Sequence, residues 1–96
     1  MQYFTHHDKA IDADGTSLKG RVDVPYDRLE AHFGRPLDVC GDGKVQAEWQ
    51  VQFEDGKVAT IYDWKEYGTP YQQVKDWHIG GYDSEVVGRI QSILGA

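Results

Sequence analysis

The sequence predicts a small, single α+β domain in which a mainly antiparallel four-stranded sheet carries two helices on one face. Three observations lead there. Between Val45 and Phe53 the odd positions are apolar or small and the even positions polar, the period-2 pattern of a strand with one buried face. A second β-rich run, Val58 to Trp64, follows across Asp55-Gly56, so the two form a hairpin. Two short one-sided helical stripes flank this pair, and packing both on one sheet face is the simplest way to bury them.

Taken in order, residues 1–14 lack a stable periodicity and read as an arm or a short edge strand ahead of a domain spanning 15–96. His6, His7 and Asp8 do not make a metal site, because adjacent histidines point apart on a strand and no further ligands follow at zinc spacing. After the Asp14-Gly15 turn, Thr16 to Val24 alternates: Thr16, Leu18, Gly20, Val22 and Val24 share one side, while Ser17, Lys19, Arg21 and Asp23 share the other. Pro25 suits the first position of a helix, with Asp27 and Glu30 near the positive end of its dipole. Tyr26, Leu29 and Phe33 form the inward stripe, and Gly34 with Pro36 ends it; His32 falls off the stripe and reads as a surface histidine. Residues 66–76 form an excursion suited to binding. In the strand that follows, Trp77 and Ile79 face one way and His78 the other, and Gly80-Gly81 allow a close approach to the backbone. Asp83 or Ser84 caps the last helix, whose stripe is Val86, Val87, Ile90, Ile93 and Leu94 and whose Gly88 costs about 1 kcal/mol of propensity.

The hairpin register is open between two solutions. The commonest loop class, two residues, places Trp49 opposite Tyr62 and Glu48 opposite Asp63, with Ala59 and Ile61 on the second face. A three-residue loop with a glycine bulge shifts the pairing by one and moves Ala59 and Ile61 to the aromatic side.

Composition narrows the function classes. Sixteen acids against ten Lys and Arg give a formal charge of −6, which argues against a nucleic-acid backbone as partner. The single cysteine, Cys40, permits no internal disulfide and reads as a passive thiol. No signal peptide or apolar run of membrane length is visible, which gives the expectation of an intracellular protein. The standard nucleotide-loop, zinc-protease, redox and serine-hydrolase patterns are absent, and no cofactor is expected.

Two sets of residues carry potential chemistry. Glu48, Asp63 and His78 would make a weak hydrolase if the two carboxylates face each other, because like charges in contact raise one pKa. The larger set suits a small anionic, aromatic ligand: Thr16, Ser17, Lys19 and Arg21 supply hydroxyl and cationic donors, and Tyr62, Asp63, Trp64, Lys65, Trp77, His78 and Gly80 supply rings, polar groups and close access. Aromatic planes stack on bases, and cations meet phosphates. Any one of these rings, Trp77 included, fits a hydrophobic core better than a ligand platform; Trp64, Lys65 and His78 taken together are balanced between the two.

The series Gly-Thr-Ser-Leu-Lys-Gly (15–20), His-Phe-Gly-Arg-Pro-Leu (32–37), Ala-Glu-Trp (47–49), Phe-Glu-Asp-Gly-Lys-Val-Ala-Thr-Ile-Tyr-Asp-Trp-Lys (53–65) and Asp-Trp-His-Ile-Gly-Gly (76–81) resembles a family of short, mostly uncharacterised proteins of tailed bacteriophages. The resemblance spans roughly residues 15–94. It implies a phage accessory protein acting in the host bacterial cytoplasm against host defence, and it brings no established activity. In that setting the first expectation is a non-enzymatic binding protein that sequesters a nucleotide immune signal, such as a cyclic dinucleotide or an ADP-ribose derivative. It would act as a homo-oligomer, since a domain this small encloses a ligand more readily across a subunit interface. The second is an anti-CRISPR-like or anti-nuclease inhibitor that contacts a host defence protein through an acidic surface.

Overall fold

The computed structural model describes residues 2–6, 16–38, 47–64 and 69–95. Its elements run β1 (Tyr3–His6), β2 (Ser17–Asp23), α1 (Tyr26–Phe33), β3 (Leu37–Asp38), β4 (Ala47–Phe53), β5 (Val58–Tyr62), β6 (Asp76–Gly81) and α2 (Glu85–Leu94). The α+β class, the antiparallel sheet and the two helices are as expected. The strands lie in the order β1-β4-β5-β6-β2, with β3 beside the start of β4. The sheet is therefore wider than the four strands expected. β1 pairs with β4 along Tyr3↔Phe53 to His6↔Gln50, so residues 3–6 of the stretch read as an arm or short edge strand form an edge strand of the sheet. His7, Asp8, Cys40 and Lys65 lie outside the described residues.

Both helices pack on the face carrying Ala47, Trp49, Val51 and Phe53 of β4, Ala59 and Ile61 of β5, and Trp77 and Ile79 of β6. Leu29 and Phe33 of α1 and Val86, Ile90 and Leu94 of α2 complete this core, as the two stripes required. At its centre the Trp49 and Trp77 rings meet edge to face at 5.2 Å, with Tyr26 against both. Each indole N–H donates to a carbonyl, Trp49 to Gly34 at 2.7 Å and Trp77 to Val74 at 3.1 Å, so neither polar handle is stranded. The bond to Val74 also seats residue 74 of the excursion in the core. The excursion's remaining described part contains a single 3-10 turn, Tyr71–Gln73.

The helix ends differ in detail from the expected caps. Pro25 stands one position before α1 with an extended ψ of 156° rather than inside the helix, and its carbonyl accepts from Arg28 N–H at 3.1 Å. At α2 the preceding residue is Ser84, yet the orphan amide of Glu85 is satisfied by Asp83 Oδ1 at 2.9 Å. One end of the hairpin is tied to α2 by charge: Arg89 grips Asp55 through both guanidinium nitrogens at 2.9 and 2.7 Å and lies 5.0 Å over the Phe53 ring. The Arg89 hydrogen bonds hold the Asp55 carboxyl down to about 2.

Glycines set how closely α2 lies on the sheet. A Cβ at Gly81 would come 2.9 Å from Val86 Cγ2 and 3.0 Å from the Val58 carbonyl oxygen, and one at Gly20 would come 2.8 Å from Val87 Cγ1. Gly88, by contrast, has open space around it in the middle of α2. Gly81→Ala is therefore expected to cost about 1–3 kcal/mol by overpacking, because a strand carbonyl cannot step aside. Gly88→Ala should gain about 1 kcal/mol of helix propensity. Thermal melts of the two variants should move in opposite directions from the parent.

Candidate functional site

The hairpin register decides which side chains reach the sheet face opposite the helices. Gly56 N–H bonds the Phe53 carbonyl at 2.9 Å, Phe53 N–H bonds the Lys57 carbonyl at 2.8 Å, and Gly56 has φ 90°. The loop is thus Glu54-Asp55-Gly56, three residues with a glycine bulge, and the two-residue solution is not the one adopted. Its pairs are Glu48↔Tyr62, Trp49↔Ile61, Gln50↔Thr60, Val51↔Ala59 and Gln52↔Val58. A one-residue slip exchanges faces, so Ala59 and Ile61 enter the core and Tyr62 turns to the opposite side.

This register also dissolves the proposed carboxylate pair. Glu48 faces Tyr62, and Asp63 falls beside Ala47, where it is fully buried and accepts from the Ala47 amide at 3.0 Å. The Glu48–Asp63 arrangement required for the hydrolase reading is not formed.

What the face does present is a row across four strands. Glu48 on β4 pairs with Tyr62 on β5, Tyr62 with His78 on β6, and His78 with Arg21 on β2. An acid, a phenol, an imidazole and a guanidinium stand side by side. The next row is Gln50, Thr60, Gly80 and Leu18. Leu18 lies here, half exposed, because a bulge between Leu18 and Gly20 interrupts β2; the uninterrupted alternation expected for that strand would have turned it inward. Gly80 earns its place: a Cβ there would lie 2.6 Å from Thr60 Oγ1 and 3.4 Å from Tyr62 Cε1, so the glycine makes room for both neighbours.

The rings form a bent ladder. Tyr62 meets His78 at 5.6 Å and Trp64 at 6.3 Å, both edge to face, and Trp64 is 41% exposed at the ladder's outer end. Hydrogen-bonding capacity in the row is largely unspent. His78 is only 9% exposed and Thr60 4%, yet neither ring nitrogen of His78, nor the hydroxyls of Thr60 and Tyr62, has a hydrogen-bond partner among the described residues. Glu48 receives one bond, from Gln50 Nε2 at 2.7 Å, and no described cation sits on it. Among the described residues the Arg21 side chain has only a loose contact, 3.8 Å, with exposed Asp76, the weakest kind of ion pair. No polar side-chain atom among the described residues is both sealed from solvent and unpaired, so these groups end at a surface that water or a ligand reaches. Burial, partly offset by the Gln50 hydrogen bond, pushes the Glu48 carboxyl up; burial and then the Glu48 charge push the Tyr62 phenol up.

Of the residues the sequence singled out, Arg21, Tyr62, Trp64, His78 and Gly80 come together here. Lys19 sits at the β2 bulge, and Thr16 and Ser17 lie at that strand's start, Ser17 opposite Gly81. Trp77 and Asp63 are fully buried away from the row. Sequence reasoning missed Thr60, and it saw Glu48 only as half of a carboxylate pair; with the three-residue loop, their even numbering would have placed both beside Tyr62. A surface depression of about 500 Å³ elsewhere, lined by Lys57, Tyr82 and Asp83 among others, has its charges already matched, with Lys57 Nζ 2.9 Å from Asp83 Oδ2.

No protein-family model, no curated protein and no solved structure matches the chain. No helix among the described residues is long and apolar enough to cross a membrane, and no cluster of three or more metal-ligating side chains occurs among them.

Proposed function

We propose that this chain is a binding protein that holds a small nucleotide on the sheet face opposite its helices without turning it over. The observation that carries this reading is the row Glu48, Tyr62, His78 and Arg21, whose polar groups are positioned by four strands and have hydrogen bonds left to make. Polar groups that reach an accessible surface with no internal partner among the described residues are free to bond water or a ligand. The aromatic ladder ending in Trp64 gives a stacking surface beside them. In the bacteriophage setting that the sequence resemblance implies, the activity would be sequestration of a nucleotide immune signal in the host cytoplasm. A second copy of the chain laid over the face would enclose the ligand.

A thermal-shift panel of cyclic dinucleotides, ADP-ribose derivatives and mononucleotides tests this, with mass spectrometry of the recovered ligand. A ligand at 100 times its Kd adds about 2.7 kcal/mol, which in a domain of this size raises Tm by roughly 10–20 °C. The expected result is such a rise with the ligand recovered intact. Silence across the panel would overturn the reading and move the function to the protein-contact class.

A further inference from the structure

The face opposite the helices has a direction as well as a composition. Its anionic group, Glu48, stands on β4 and its cationic group, Arg21, on β2, with Tyr62 and His78 between them. Three inter-strand steps separate the ends, roughly 14 Å at ~4.8 Å per step. That is the reach of one nucleoside monophosphate with a hydrogen bond at each end. Between the ends the Tyr62 ring supplies an apolar surface, edge to face with His78.

We infer, building on the ligand-binding reading of this face, that the ligand is a guanine nucleotide laid along the row, its base edge on Glu48 and its phosphate at Arg21 and His78. An ionised carboxylate accepts and does not donate. The guanine edge offers two adjacent donors, the ring N1–H and the exocyclic amino group, which match the two carboxylate oxygens. Adenine offers one donor beside an acceptor, and the acceptor would face an oxygen lone pair. Glu48 has an accepting side left for this, since its one bond comes from Gln50 to Oε2. At the other end, among the described residues, the Arg21 guanidinium is held only by the loose contact with Asp76, and the His78 nitrogens carry no partner. A guanidinium matches phosphate oxygens in a planar fork, and a neighbouring imidazole donates a further bond.

Replacing Glu48 changes the preference and not merely the affinity. In Glu48→Gln the side chain becomes one acceptor and one donor, the complement of the adenine edge. Calorimetric titration of the full chain with guanosine monophosphate, inosine monophosphate, adenosine monophosphate and guanosine reads the inference directly. The parent is expected to bind guanosine monophosphate at least tenfold more tightly than inosine monophosphate, which lacks the amino group, and more tightly still than adenosine monophosphate. Glu48→Gln should narrow or reverse the guanine-to-adenine ratio, and Arg21→Ala should lose most of the advantage of guanosine monophosphate over guanosine. Equal affinity for the guanine and adenine nucleotides, or an unchanged ratio in Glu48→Gln, would overturn the assignment of the base edge while leaving a ligand-binding face standing. Failure of all four ligands, with every cyclic dinucleotide and ADP-ribose derivative also silent, would overturn the face itself.

Discussion

Trp49→Ala is expected to lower stability by about 3–5 kcal/mol, the cost of deleting a large aromatic side chain from a packed core. Trp49 is wholly buried, meets Trp77 edge to face and Tyr26 at 5.7 Å, and donates its indole N–H to the Gly34 carbonyl. That last bond fastens the sheet to the C-terminal end of α1, where Gly34 has already turned to φ 77°. Removing the ring opens a cavity beneath α1 and strips that carbonyl of its partner at the same time. Since domains carry only about 5–15 kcal/mol in total, this one change should consume a large share of the margin. Trp49→Phe keeps most of the packing and loses the hydrogen bond, so it should cost far less, about 1 kcal/mol for the bond itself. Denaturant unfolding of the three proteins checks the order.

Glu48→Gln is expected to act in two directions at once. The native state raises the Glu48 carboxyl above its ordinary value of 4.5 through burial, so the folded chain binds this proton more tightly than the unfolded chain. Stability from this group is therefore full below about pH 4.5 and is lost as pH rises through the elevated native value. At pH 7 the charge is a burden, and replacing it with a neutral amide should raise Tm by roughly 2–4 °C, about 0.5 kcal/mol for a part-exposed group screened by solvent. The gain should vanish below pH 4. The same substitution should weaken guanosine monophosphate binding tenfold or more, the equivalent of about 1.4 kcal/mol. A residue that improves the fold when removed and harms binding when removed is one kept for its ligand. Melts at pH 4 and pH 7 beside a titration separate the two effects.

The architecture was legible because its signals are periodic. The alternation from Ala47 to Phe53, the helical stripes of α1 and α2, and the opposition of His78 to Trp77 and Ile79 all appear where their spacing put them. The site was harder to see because it hangs on a single residue of register. Asp55-Gly56 serves a two-residue turn as well as it serves the last two positions of a three-residue loop, so the turn chemistry alone did not choose. Side-chain chemistry on β5 did. One register turns Ala59 and Ile61 into the apolar core beneath the helices; the other would have turned the hydroxyls of Thr60 and Tyr62 into it, where they find no partners. The bulge at Lys19 was invisible for a similar reason, since Leu18 fits the inward alternation of β2 and only the pairing with β6 shows it turned outward. β1 carries too few residues for a pattern, and it is the sheet edge of β4 that orders it.

The central claim is that ligand lands on the row Glu48, Tyr62, His78 and Arg21. Amide chemical shifts of isotope-labelled protein titrated with guanosine monophosphate report this residue by residue. The account predicts that the largest changes map to Arg21, Glu48, Tyr62, His78 and Gly80 and leave α1, α2 and the Asp55–Arg89 contact nearly still. Changes concentrated on the helices or on the Lys57–Asp83 depression, with the row unmoved, would contradict it.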